Sequence, residues 1–192
     1  MDKMRCFIAV ELPLEVRAAL GSLEKQLREG RHGFVKWVHP ENIHITLKFL
    51  GATPVGEIQG IIDTLTEVSR QAGPFMLRLG ELGCFPDIQR PQVLWVGLEG
   101  EVDKLVILQR DIEDAMHTLG FHRESRHFVP HLTLARTRQS ASLQDRQELG
   151  TRVSLADFTS NLEIGVDGVS LMESQLTPSG AVYNRLALVE LG

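Results

Sequence analysis

Two cysteines in 192 residues, Cys6 and Cys84, are too few and too far apart for a CxxC redox or metal site. Both fall in apolar stretches and read as buried thiols of a cytoplasmic protein. The opening Met1-Asp2-Lys3-Met4-Arg5 runs directly into an apolar strand and lacks signal-peptide architecture, which gives the same expectation. No apolar run has the length of a bilayer span, so no membrane partner is expected. Low-complexity tracts and an interdomain linker are absent too, and residues 1–192 are read as one domain. Positive charge is also in deficit. A net charge of −5 argues against a protein that coats long nucleic acid by neutralising its phosphates. The deficit is uneven, however. Residues 122–138 carry Arg123, Arg126, Arg136 and Arg138 against Glu124 alone, a local +3 on a body of −8. A basic patch of that size suits a small phosphorylated group better than a duplex.

What is present is a repeated strand. His44-Ile45-Thr46-Leu47 and His131-Leu132-Thr133-Leu134 are both His-x-Thr-Leu in apolar surroundings, each introduced by a proline-containing turn. From average residue usage, two such matches occur by chance in on the order of one chain in a few thousand. Alternation along a strand puts His44, Thr46 and Lys48 on one face and Ile45, Leu47 and Phe49 on the other. His131 and Thr133 share a face in the same way. Arg136, five residues past His131, falls on the wrong face unless the strand ends or bulges first.

Around these strands the pattern alternates. A strand at 5–11 leads through Leu12-Pro13 to a helix with Val16, Ala19, Leu20, Leu23 and Leu27 inward and Gly30 as its C-cap. A short strand is expected near 35–38, then the first motif strand at 43–50. Thr53-Pro54 reads as the N-cap and first turn of a second helix, with Ile58, Ile61, Ile62, Leu65 and Val68 inward. Strands follow at 75–82 and 92–98. A third helix has Leu105, Leu108, Ile112, Ala115, Met116 and Leu119 in register and is closed by Gly120. The second motif strand lies near 129–136, a weak helix at 140–150, and strands at 155–158, 164–174 and 182–191. The fold class is α+β: antiparallel sheets with one face covered by helices, and two lobes related by a pseudo-twofold.

Two imidazoles and two hydroxyls around one small volume suit displacement at phosphorus. With a reference pKa of about 6.5, a histidine pair divides into a neutral base and a protonated acid near neutral pH. One deprotonates the attacking oxygen while the other protonates the leaving oxygen. Threonine hydroxyls and an arginine hold the non-bridging oxygens. No metal is required, and no Asp/Glu/Cys cluster completes a first shell with His122, His127 and His131. His32, His39, His117, His122 and His127 read as surface residues. The natural substrate is a pre-strained diester such as a 2′,3′-cyclic phosphate.

The chain resembles the two-histidine phosphoesterases, and among them the RNA 2′,3′-cyclic phosphodiesterases once named 2′-5′ RNA ligases (the LigT-like, or ThpR, family). The resemblance is carried by Asn42-Ile43-His44-Ile45-Thr46-Leu47-Lys48-Phe49-Leu50-Gly51 and Phe128-Val129-Pro130-His131-Leu132-Thr133-Leu134-Ala135-Arg136. Arg5–Pro13 and the closing segment with Leu171-Met172-Glu173-Ser174, Gly180 and Tyr183 add to it. It implies a bilobal α+β body, two antiparallel sheets facing a central cleft with helices packed outside. It implies His44 as proton donor, His131 as proton acceptor, and Thr46, Thr133 and Arg136 as phosphate-binding residues, which favours a bulged placement of Arg136. Phe7 is a candidate for stacking on a base. The implied reaction is hydrolysis of RNA 2′,3′-cyclic ends to 2′-phosphomonoesters; small cyclic nucleotides are further expected partners, no cofactor is expected, and a monomer is the default expectation. The alternatives are a 2′-5′ ligase joining cyclic phosphate and 5′-hydroxyl ends, and a nucleotide- or RNA-binding module.

Overall fold

The computed structural model describes residues 2–28, 33–178 and 180–192. In chain order the elements are β1 (Lys3–Glu11), α1 (Leu14–Leu27), β2 (Val35–Trp37), β3 (His44–Pro54) and α2 (Ile58–Ser69). Then come β4 (Phe75–Phe85), β5 (Val93–Gly100), α3 (Val102–Thr118), β6 (His131–Thr137) and α4 (Leu143–Leu155), followed by β7 (Glu163–Val166), β8 (Gly168–Thr177) and β9 (Gly180–Glu190).

The motif strands form the centre. The strand order is β7-β4-β5-β6-β3-β1-β8-β9, with β2 paired to β6 off this path, and every pairing is antiparallel. The expected two sheets are therefore one, joined where β3 meets β6 at a single pair, Ile45↔Leu132. Only Asp167 separates β7 from β8, although they lie near opposite ends of the strand order. The sheet must curl for so short a connection to reach, and it forms an antiparallel half-barrel.

Helical periodicity explains the outer layer. Val16, Leu20, Leu23 and Leu27 of α1, Ile61 and Leu65 of α2, and Leu105, Leu108, Ile112 and Met116 of α3 are buried in one continuous core with the inner sheet residues. Both cysteines are free and buried. Gly120, at φ 94°, follows the end of α3 as a left-handed cap, and Leu119 is exposed because the helix stops at Thr118. The expected caps at Gly30 and the turn residue Ser179 lie outside the described residues, as does His32.

Three boundaries differ from the sequence reading. Thr53-Pro54 ends β3 rather than starting α2, because β1 keeps pairing as far as Lys3↔Pro54, and a 3-10 turn at Val55–Glu57 intervenes. Leu155 ends α4 instead of starting a strand. That helix is fixed by a capping box in which the Ser142 side chain accepts from Asp145 N–H and Asp145 from Ser142 N–H. The expected strand 164–174 breaks at Asp167, where the chain passes from its pairing with β4 to its pairing with β1 and β9.

Candidate active site

The Ile45↔Leu132 pair fixes the register of the two motifs. It sets His44 opposite Thr133 and Thr46 opposite His131, all on the face away from Ile45 and Leu132, which are wholly buried. The histidines thus lie on a diagonal of this four-residue square, and diagonal neighbours across an antiparallel pair are about 7–8 Å apart.

Both imidazoles are held alike. His44 Nδ1 lies 2.7 Å from the Asn42 carbonyl and His131 Nδ1 2.6 Å from the Val129 carbonyl, each two residues upstream. A carbonyl only accepts, so Nδ1 carries a proton in both rings and Nε2 is the atom left to exchange one. Aromatic rings support each imidazole. Phe7 packs at 4.8 Å and 30° against His44, with Tyr183 edge-on at 5.3 Å, and Phe85 meets His131 edge-on at 5.1 Å.

The motif strands share a further irregularity. From the histidine onward both read half-buried, buried, half-buried, buried, buried, exposed. The two consecutive buried positions mark a one-residue bulge: β3 gains a residue against β1 between Ile8 and Ala9, and β6 gains one against β5 between Leu94 and Trp95. The bulge reverses alternation beyond it. Arg136 consequently lines the same cavities as Thr133. In β3 the same reversal turns Phe49 outward, 65% exposed, and Lys48 inward. The expectation of Lys48 beside His44 is thereby corrected. Its ammonium donates to Glu113 Oε1 at 2.6 Å and to the His122 carbonyl at 2.9 Å.

Electrostatics separate two otherwise matching histidines. Burial lowers both pKa values from 6.5. The Glu11 carboxylate works against this at His44, favouring its charged form, whereas the Arg136 guanidinium adds to it at His131. Glu11 is itself held by Ser170 Oγ at 2.6 Å and Arg185 at 3.1 Å.

A cavity of about 240 Å³ touches this square at His44, beside Glu11 and Arg185, and two others share its threonines. One of about 300 Å³ includes Arg5, Phe7, Val38, His44 and Tyr183; the other, about 710 Å³, includes Phe85, Gln109, Arg126, His127 and His131. Thr46, Phe49, Thr133 and Arg136 line both. Phe7 is only 3% exposed with its ring against His44, so it supports the imidazole and offers no open face to a base. Phe49 has that open face. Alternation had assigned Phe49 to the core, and only the bulge, invisible in sequence, reveals it. Glu11 and Phe85 were missed because their proximity depends on neighbouring strands. His39 and His117 are surface residues, while His122 and His127 are exposed but line the larger cavity. Among the described residues no group of three or more His, Cys, Asp or Glu side chains is arranged to hold a metal ion. No helix among them is long and apolar enough to cross a membrane.

The sequence profile of the family described as LigT like Phosphoesterase matches the chain twice, over residues 10–95 and 96–183. The chain belongs to the LigT-like phosphoesterase family. Each match holds one His-x-Thr strand, in keeping with the pseudo-twofold. Similar proteins include an RNA 2′,3′-cyclic phosphodiesterase of Methanothermobacter thermautotrophicus, 32% identical over 98% of this chain and 100% of its own length. One from Archaeoglobus fulgidus is 34% identical over 97% and 100%. Among solved structures, TT0787 of Thermus thermophilus superposes with a TM-score of 0.79 at 31% identity, covering 98% of both chains. Escherichia coli LigT in apo form gives 0.77 at 21% identity over 100% and 99%, a likeness of fold. The α+β class with helices outside the curled sheet is thus the one the sequence pattern suggested, and the LigT-like fold is the one the resemblance implied.

Proposed function

We propose that this chain hydrolyses RNA 2′,3′-cyclic phosphodiester ends to 2′-phosphomonoesters, with His131 as base and His44 as acid. The observation that carries this reading is the diagonal pair of imidazoles, each with Nδ1–H committed to a carbonyl and with opposite charged neighbours. Relatives that match this chain along nearly their whole length are named RNA 2′,3′-cyclic phosphodiesterase.

In the proposed reaction, His131 Nε2 takes a proton from water as its oxygen attacks phosphorus. The bond from phosphorus to O3′ breaks on the opposite side, and His44 Nε2–H delivers its proton to O3′. The products are a 2′-phosphomonoester and a 3′-hydroxyl, and solvent exchange restores both imidazoles. Thr46, Thr133 and Arg136 hold the non-bridging oxygens as charge accumulates on them. Two proton-transfer groups and three donors account for the step without a metal. One chain supplies every residue of the site, which supports a single bilobal domain acting as a monomer, a point sedimentation velocity would check. Two free buried thiols fit a cytoplasmic setting, which localisation of a tagged full-length chain would test.

The test is turnover of a short RNA ending in a 2′,3′-cyclic phosphate, in EDTA, with products resolved by phosphorus NMR. We expect 2′-phosphate, and loss of turnover in His44→Ala and His131→Ala. Joining to an added 5′-hydroxyl RNA in place of hydrolysis would favour the ligase. Tight binding without turnover would favour a binding module.

A further inference from the structure

The larger cavity extends beyond what the reacting phosphate needs. Its outer wall is formed within residues 122–129 of the segment between α3 and β6, which takes no part in the proton transfers above except through the Val129 carbonyl. That wall is anchored from beneath. Lys48 Nζ, on the core side of β3, donates to the His122 carbonyl, and Glu113 Oε1 accepts from Glu124 N–H at 3.0 Å while paired with Lys48. The loop is therefore tied directly to the strand that carries His44 and Thr46.

The charges on the wall are unequally engaged. Glu124 Oε1 accepts from the backbone N–H groups of Ser125 and Arg126, at 3.1 and 3.3 Å. Glu113 is neutralised by Lys48, and Arg123 is paired with Asp114. No ion pair or hydrogen bond engages the guanidinium of Arg126 or of Arg136 among the described residues. One cavity thus presents two unengaged guanidinium groups, Arg136 beside the His-Thr square and Arg126 on the loop, together with the exposed face of Phe49.

We propose that this cavity is a subsite for the RNA chain on the 5′ side of the cyclic end, binding an upstream phosphodiester at Arg126 and stacking an upstream base on Phe49. The proposal rests on the phosphodiesterase reading and extends it from the terminal phosphate to the polymer that carries it. Continuity favours RNA as the occupant. The cavity opens directly from Thr46, Thr133 and Arg136, so a chain whose last phosphate is held there has a direct path into it. The neighbouring cavity of about 300 Å³ is at the lower limit of ligand pockets and suits the terminal nucleoside. Phe49 and Arg136 line both cavities, and the larger adds Arg126 on its outer loop, so a phosphate bound there lies beside the open aromatic face on which single-stranded nucleic acid stacks. A grip of one or two phosphates also fits a chain whose net charge is −5.

The test compares kcat/KM for a mononucleoside 2′,3′-cyclic phosphate with that for a trinucleotide ending in the same group, using the full chain. We expect the wild type to favour the trinucleotide at least tenfold. Arg126→Ala should lower trinucleotide kcat/KM about fivefold, mainly through KM, and leave the mononucleotide rate unchanged. It should also flatten the dependence of log kcat/KM on log salt for the trinucleotide by about 0.7, the increment for one phosphate of a single strand. Arg126→Lys should retain most of that salt dependence. Equal use of both substrates by wild type, or equal effects of Arg126→Ala on both, would overturn the subsite while leaving the phosphodiesterase intact. Turnover of neither substrate would overturn the phosphodiesterase reading, and the subsite with it.

Discussion

Lys48 Nζ lies 2.6 Å from Glu113 Oε1, on the opposite side of β3 from His44 and joined to the loop that walls the larger cavity. Their side chains are 2% and 12% exposed, so removing one partner leaves a buried, uncompensated charge. Breaking such a pair costs about 3–5 kcal/mol, whereas replacing both charges with apolar groups is often nearly neutral. Lys48→Met and Glu113→Leu should each destabilise the fold by that order, and the double variant by much less than their sum. Urea unfolding of the four proteins checks this as a double-mutant cycle. Simple additivity would show that the pair does not act as a unit.

The two histidines predict the pH profile. In the proposed mechanism the base must be neutral, so activity falls as pH drops through the pKa of His131. The acid must be charged, so activity falls as pH rises through that of His44. Burial lowers both values from 6.5, which places the maximum of kcat/KM below pH 6.5. Glu11→Gln removes the carboxylate that favours charged His44 and should move the alkaline limb to lower pH. The acid limb, governed by His131, should stay in place. NMR titration of the two imidazole Cε1–H signals reads each group without relying on turnover. A profile centred above pH 7 in the free enzyme would contradict the assignment.

The sequence made the His-Thr square legible because a twofold repeat of His-x-Thr already implies two like strands, and strand periodicity places His and Thr on one face. Arg136 was legible only conditionally, through a bulge that the spacing demanded but did not reveal. Phe49 and Lys48 were assigned to the wrong sides for the same reason. A bulge is chosen by pairing with β1 and β5, and no local pattern in residues 44–50 announces it. The boundaries at Thr53 and Asp167 were hidden likewise, since tertiary pairing extended one strand and divided another. Phe85 and Glu11 are far from the motifs in sequence and reach them through strand order alone.

Gly83 should matter to His131 although it touches neither substrate nor imidazole. It pairs with Trp95 across β4 and β5, and a Cβ at Gly83 would lie only 2.2 Å from Trp95 Cζ2. The Trp95 ring packs at 5.1 Å against Phe85, which in turn meets the His131 ring. Gly83→Ala should therefore cost about 1–3 kcal/mol through overpacking. It should also lower kcat more than it raises KM, with a change in tryptophan fluorescence. Making room with Trp95→Phe in the same chain should recover most of both losses. An unchanged His131 titration in Gly83→Ala would break the link drawn through the aromatic rings.

Glu24 gives the fold its own pH dependence, independent of catalysis. It is 2% exposed on the inner face of α1, with Arg28 at 3.0 Å from Oε2 and no partner for Oε1 among the described residues. Burial raises its pKa to about 7, and the Arg28 guanidinium offsets only part of that. The native state thus holds this proton more tightly than the unfolded chain, where the value is 4.5. Stability is fullest below pH 4.5 as far as this group is concerned, declines as pH rises between 4.5 and 7, and is level above. The decline attributable to Glu24 is roughly 3 kcal/mol, since each pKa unit corresponds to about 1.4 kcal/mol. Glu24→Gln should remove that slope and stand above wild type at pH 8, by less than the full amount because the charged contact with Arg28 is lost. Arg28 also lies over the Trp37 ring at 5.1 Å, so Arg28→Ala should raise the Glu24 pKa further and loosen β2 as well. Urea midpoints of the three proteins at pH 5 and pH 8 decide the matter. Parallel behaviour of wild type and Glu24→Gln would mean that the Glu24 carboxylate is ionised in the fold at no cost.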